Sequence, residues 1–168
     1  MEFVSLDWWQ FFLRWIHILC GVMWIGHLWY FNFTQTPTLP KIPPAQRPAI
    51  TQFILPEALF WFRWSAMGTL VFGFILAWLN GYLFSAIKLG IGDGNTHNTV
   101  IGFGMWLGTI MWANVWFLIW PNQKKNIGLV AASPEDARHA ARIAGLASRV
   151  NTMLSIPMLY CMAGVHFY

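Results

Sequence analysis

The 168-residue chain is 57% hydrophobic and only 10% charged, with a mean hydropathy of +0.50, where a soluble globular chain carries about 25% charged residues. So few charges exclude a water-covered globule and imply a surface covered mostly by lipid. The net charge of +4 and a pI near 9.4 do not imply nucleic-acid binding, because the basic residues lie between apolar runs instead of clustering on one face.

In chain order, Met1 to Gln10 carries Glu2 and Asp7 and lacks the basic start of a secretory signal. Crossing a bilayer takes about 20 apolar residues, and three uncharged runs qualify: 15–33, 64–87 and 99–120. A weaker fourth, 147–167, is interrupted by Pro157, which a membrane helix tolerates when neighbours satisfy the freed carbonyl. The pattern predicts an all-α fold, an integral membrane four-helix bundle forming one transmembrane domain over 1–168.

Between these runs, 34–62 is rich in proline (Pro37, Pro40, Pro43, Pro44, Pro48, Pro56) and reads as a long irregular or interfacial segment. Lys88 to Asn98 reads as a short turn carrying Gly90, Gly92 and Gly94. The third connection, 121–146, holds Lys124 and Lys125 and then Ser133-Pro134-Glu135-Asp136, a helix start with Ser as cap and Pro and acids in the first turn. Eight of the ten Lys and Arg fall on the side of the two long loops, and only Arg14 and Lys88 on the other. That asymmetry predicts cytoplasmic loops and both termini in the periplasm of a bacterium, hence a multi-pass protein of the inner membrane.

Ionisable groups at membrane depth are costly and mark function, which singles out the histidines. His17, His97 and His166 each fall near the outer end of a span, so antiparallel threading brings three distant positions to one face. Neutral imidazoles from facing helices can hold a b-type haem without covalent attachment. Gly21, one turn from His17, would let the macrocycle approach, and Arg14, one turn before it, suits a haem propionate. His17 and His166 are the favoured axial pair, with His97 and His27 as alternatives. His27 lies ~15 Å deeper than His17 on the same helix, where it serves a second haem, a proton path or a hydrogen bond. The competing reading is structural: a membrane histidine often bonds a carbonyl across helices, and small residues often only pack them. His139, between Arg138 and Arg142, reads as a solvated base. Cys20 and Cys161 form no C-x-x-C, so covalent haem attachment and zinc-ribbon sites are excluded. Asn80 and Asn114, polar within spans, read as interhelical glue.

Arg14-Trp15-Ile16-His17-Ile18-Leu19 followed by Trp24-Ile25-Gly26 resembles the first helix of the membrane-bound urate oxidase (urate hydroxylase) N-terminal domain family. More loosely it looks like the four-helix haem proteins of the HemJ and CopD types. Pro56-Glu57-Ala58-Leu59-Phe60-Trp61-Phe62-Arg63-Trp64, Thr109 to Val115 leading to Pro121-Asn122-Gln123-Lys124-Lys125, and Ser148 to Met158 through His166 are similar to further segments of the urate oxidase family. The resemblance implies functional roles for His17 and His166 but not for His97, since the family's histidine on that helix falls nearer Gly102. Full members of the family have more helices and end in a c-type cytochrome domain, which implies a shortened version here that keeps the electron-handling bundle.

Three functions compete. The first is an electron-transfer subunit with one haem b, or two if His27 ligates, working with a periplasmic cytochrome c, a quinone or a larger membrane redox complex. The second is urate oxidation with a cytochrome c as acceptor. An anionic purine calls for Arg or Lys beside paired amides, and Arg63, Asn122, Gln123, Lys124 and Lys125 are the candidates. The third is a cofactor-free structural subunit of a membrane complex.

Overall fold

A computed structural model describes residues 5–92, 94–164 and 167, and among these every regular element is helical. Four long helices, α1 (Leu6–Lys41), α2 (Arg47–Leu79), α4 (Thr96–Asn126) and α5 (Pro134–Gly164), are joined by turns and by the short α3 (Leu83–Ile87). Of the four, α1, α2 and α4 are long and apolar enough to cross a membrane. α5 has five charged residues in its first sixteen, from Glu135 to Arg149, and reaches that apolarity only in its second half.

The proline-rich segment is not irregular. α1 runs on to Lys41 and α2 begins at Arg47, so the expected loop shrinks to residues 42–46. The reason lies in where the prolines fall. Ile42, ahead of Pro43, is extended (φ −79, ψ 134), as the residue before a proline is pushed to be, and this ends α1. Arg47 staples the turn by donating from Nε to the Ile42 carbonyl (2.8 Å) and from Nη2 to the Pro40 carbonyl (2.9 Å). Pro48 sits in the first turn of α2, where the missing N–H costs nothing.

Pro37, Pro56 and Pro121 lie inside long helices, each directly after a widened turn. The π-turns Tyr30–Gln35, Ile50–Ile54 and Asn114–Ile119 close with Thr36, Leu55 and Trp120 donating five residues back, to Phe31, Ile50 and Val115. The next residue in each case is Pro37, Pro56 or Pro121. Widening the turn makes room for a ring that would otherwise clash with the carbonyl of the preceding turn.

The second predicted run, 64–87, is broken. α2 ends at Leu79, and Gly81 (φ +76) makes the left-handed cap, with Tyr82 N–H reaching back to the Ala77 carbonyl. Asn80 bonds the Leu76 carbonyl of its own helix instead of reaching across to another. α3 then folds onto α4 so closely that a Cβ at Gly102 would overlap the Ala86 carbonyl oxygen. The start of α5 is as expected: Ser133 Oγ accepts from Asp136 N–H at 3.1 Å.

α1 packs chiefly along α2, and α4 along α5. The pairs are tied together at matching heights: Trp29 Nε1 donates to Ser155 Oγ (3.0 Å) and Asn32 to Ser148 Oγ (2.8 Å) between α1 and α5. Asn151 is fully buried, accepting from Asn114 (2.9 Å) and donating to the Met111 carbonyl (2.9 Å). The main core of Trp24, Leu28, Phe31, Leu59, Phe62, Met111, Val115 and Ile119 fills the half of the molecule nearer the 42–46 turn. We call that end the hairpin end. The opposite end, with Leu6, Leu79, Thr96 and Gly164, is the terminal end. Outward, Phe11, Val22, Phe33, Trp78, Phe117 and Met153 are exposed, more apolar surface than a soluble monomer leaves uncovered.

Candidate functional site

At the terminal end, His17 faces α2. Its Nδ1 bonds the Thr69 carbonyl at 2.8 Å and its ring lies against Gly73, where a Cβ would come within 2.9 Å. With that carbonyl as acceptor, Nδ1 carries the proton and Nε2 keeps the lone pair, as in metal-ligating histidines oriented by a second hydrogen bond. Gly21 faces the Thr69 methyl of α2 (3.9 Å) and Cys20 lies under Gly68, so small residues bring α1 and α2 together along this seam. Arg14 is exposed and acts on Tyr82, whose hydroxyl burial pushes up in pKa while the guanidinium partly offsets the rise. Tyr82 in turn meets His97 edge-on, 6.2 Å between rings.

The terminal end thus gathers Arg14, Tyr82 and His97, with His17 deeper at the level of Thr69. His27 is deeper still, and its Nδ1 bonds the Met23 carbonyl of its own helix at 2.7 Å. His166 lies outside the described residues. His139 is exposed. Among the described residues no three His, Cys, Asp or Glu converge. Of the haem ligands read from the sequence, His17 has its Nδ1 bonded across to a neighbouring helix and His27 to its own.

The hairpin end holds what the sequence did not single out. Between α1, α2, α4 and α5 lies a cavity of about 220 Å³. Phe31 and Phe62, edge to face at 5.5 Å, Leu59 and Ile119 give it apolar walls, and Asn32, Gln35, Gln123, Asn126 and Ser148 also line it. Of these, Gln35 has its Oε1 enclosed by protein, without a hydrogen-bond partner. Asn126 donates to Gln123 Oε1 (3.0 Å). Exposed Arg149 stands at the mouth, and with Asn32 and Thr36 it also lines a more open recess of about 470 Å³ between α1 and α5.

A carboxamide offers both a carbonyl and N–H donors, so such a wall matches a small planar ring whose edge alternates carbonyls and N–H groups, with Arg149 answering a negative charge. Of the purine candidates read from sequence, only Gln123 lines this cavity. Asn122 bonds the Leu118 carbonyl of its own helix, and Arg63 and Lys124 lie against indoles. The missed signal was Asn32 and Gln35, polar residues one turn apart at the end of an apolar run, where uncompensated polarity is costly.

Among the described residues the chain is all-helical, with three helices long and apolar enough to cross a membrane, a cavity at one end and an oriented imidazole at the other. Residues 95–168 match the family described as urate oxidase N-terminal, which relates the chain to that family. The match spans α4 and α5, and with them Gln123, Asn126, Ser148 and Arg149. No curated protein and no solved structure matches the chain.

Proposed function

We propose that the chain is the membrane-embedded part of an oxidoreductase of the urate oxidase type, binding an anionic purine in the hairpin-end cavity and passing its electrons toward an acceptor at the terminal end. The observation that carries this reading is the cavity itself, lined by Asn32, Gln35, Gln123 and Asn126 together with Arg149. A volume near 220 Å³, below the roughly 300–1,000 Å³ of drug-sized sites, suits a single fused ring system. The family match over 95–168 supports the same substrate class. The fold is a four-helix bundle of a bacterial inner membrane, its cationic loops and purine cavity cytoplasmic and its terminal end periplasmic, where a cytochrome c or a larger redox complex accepts the electrons.

A second reading, electron transfer without substrate chemistry, is favoured by His17, whose Nδ1 bond to the Thr69 carbonyl orients Nε2 for haem iron. A b-type haem there supplies a one-electron carrier; the protein supplies the ligand, its orientation and a low-dielectric surround. The two readings separate in one experiment: the full chain is expressed with excess haem, purified, and titrated with urate while the optical spectrum is followed. Reduction of a Soret-absorbing species by urate supports the first reading. A b-type spectrum indifferent to urate supports the second, and a colourless protein that binds no urate removes both.

A further inference from the structure

On the outward side of α2 and α4, level with the hairpin-end core, Arg63 projects from the apolar run of α2 with no carboxylate beside it among the described residues. Its guanidinium carbon lies over Trp120, 3.7 Å from the ring centre, and is flanked by Trp116 (5.4 Å) and Trp64 (5.9 Å). Nε and Nη1 of Arg63 and the indole N–H of Trp116 are buried with no hydrogen-bond partner. The chain has six acids in all, and Glu57, the nearest in sequence, accepts from Trp61 at 3.0 Å. Stacking on indole satisfies the faces of a guanidinium but leaves its in-plane N–H fork open. Unmade hydrogen bonds to a charged group are costly. No described carboxylate answers this charge, and an anion from outside the chain would meet the enclosed Nε and Nη1 as the Arg63 side chain turns outward.

The surroundings identify the anion. Lys124 lies over the ring of Trp120 as well (5.8 Å), and Lys125 follows it, so further positive charge stands toward the hairpin end. Toward the terminal end the surface is apolar: Trp64, Val71 and Ile75 form one exposed stripe on α2, and Phe117, Ile110 and Phe103 another on α4. A ligand with a phosphate at Arg63 and two hydrocarbon chains along these stripes meets both halves of the surface. Tryptophans at this level match the headgroup depth that they favour in bilayers. We propose that Arg63, Trp116, Trp120 and Lys124 seat the phosphate of an anionic phospholipid in the leaflet at the hairpin end. The site is separate from the purine cavity, whose lining does not include Arg63.

The test uses the full chain in a neutral detergent, offered equal amounts of dioleoyl phosphatidylglycerol and dioleoyl phosphatidylcholine, with bound lipid counted by native mass spectrometry. The wild type retains phosphatidylglycerol in preference. Arg63→Gln lowers that retention by roughly tenfold or more, the effect of one charge-assisted hydrogen bond, while Arg63→Lys keeps part of it and Lys125→Gln most of it. Excess inorganic phosphate does not displace the lipid; displacement by phosphate alone would make this a free-anion site and overturn the proposal. Equal retention of the two lipids, or unchanged retention in Arg63→Gln, overturns it too. Should Arg63→Gln fail to fold, two further measurements decide the matter. Trp120→Leu loses the phosphatidylglycerol preference, and brominated phosphatidylglycerol quenches wild-type tryptophan fluorescence more strongly than brominated phosphatidylcholine does. Retained preference in Trp120→Leu, or equal quenching by the two lipids, overturns the proposal.

Discussion

The two ends of the molecule solve opposite problems with polar groups. At the terminal end each described imidazole already has a nearby partner: His17 a carbonyl of α2, His27 a carbonyl of its own helix, His97 the ring of Tyr82. Those contacts orient single groups and leave little space between α1 and α2, where Gly68 and Gly73 are filled by Cys20 and His17. At the hairpin end the amides of Asn32, Gln35, Gln123 and Asn126 come from two helices to line one void. An end that leaves a void among its amides has room to receive something, whereas an end whose small residues close on their partners is built to hold position.

The comparison can be broken most sharply by exchanging variants between the ends. Arg149→Gln is expected to weaken urate binding by about ten- to a hundredfold, as loss of a charge-assisted contact does, and to leave any haem spectrum unchanged. His17→Ala is expected to do the reverse, removing or shifting the Soret band with urate affinity preserved. Optical spectra and equilibrium dialysis on the same two preparations check both. If each variant disturbed both properties equally, the ends would not be separate sites.

Gln35→Leu sharpens the case for the cavity. Replacing an unsatisfied buried acceptor with an apolar group of similar size should leave the thermal midpoint unchanged or raise it while lowering urate affinity several-fold. A structural glutamine would lower the midpoint and leave binding alone. Asn151→Ala gives the opposite pattern, since its amide has partners on both sides. Losing them should cost about 1–3 kcal/mol of stability, read from thermal unfolding in detergent, with ligand binding at both ends retained. The smallest effect is expected from His139→Ala, an exposed residue, which should change neither spectrum nor binding.

Much of the architecture was legible in the apolar runs, because length and hydropathy alone decide whether a helix can span a bilayer. The capping residues from Ser133 to Asp136 were equally readable, being local. The proline-rich segment misled because proline was read as a breaker. Here Pro48 occupies a first turn, Pro37, Pro56 and Pro121 follow widened turns, and only Pro43 and Pro44 interrupt a helix. No composition rule anticipates a π-turn. The cavity was hidden for a different reason: Asn32, Gln35, Gln123 and Arg149 come from three helices and meet only when these pack at a particular height and rotation. Gly102 shows the same limit, for its place beneath the Ala86 carbonyl depends on α3, an element that the long apolar run concealed.

The most direct measurement is equilibrium binding of urate to the purified full-length chain, run side by side on wild type, Arg149→Gln and His17→Ala. Saturable binding at one site, weakened by at least about tenfold in Arg149→Gln and untouched in His17→Ala, is the predicted result. No saturable binding to the wild type, or binding that Arg149→Gln leaves at full strength, would contradict a purine site at the hairpin end.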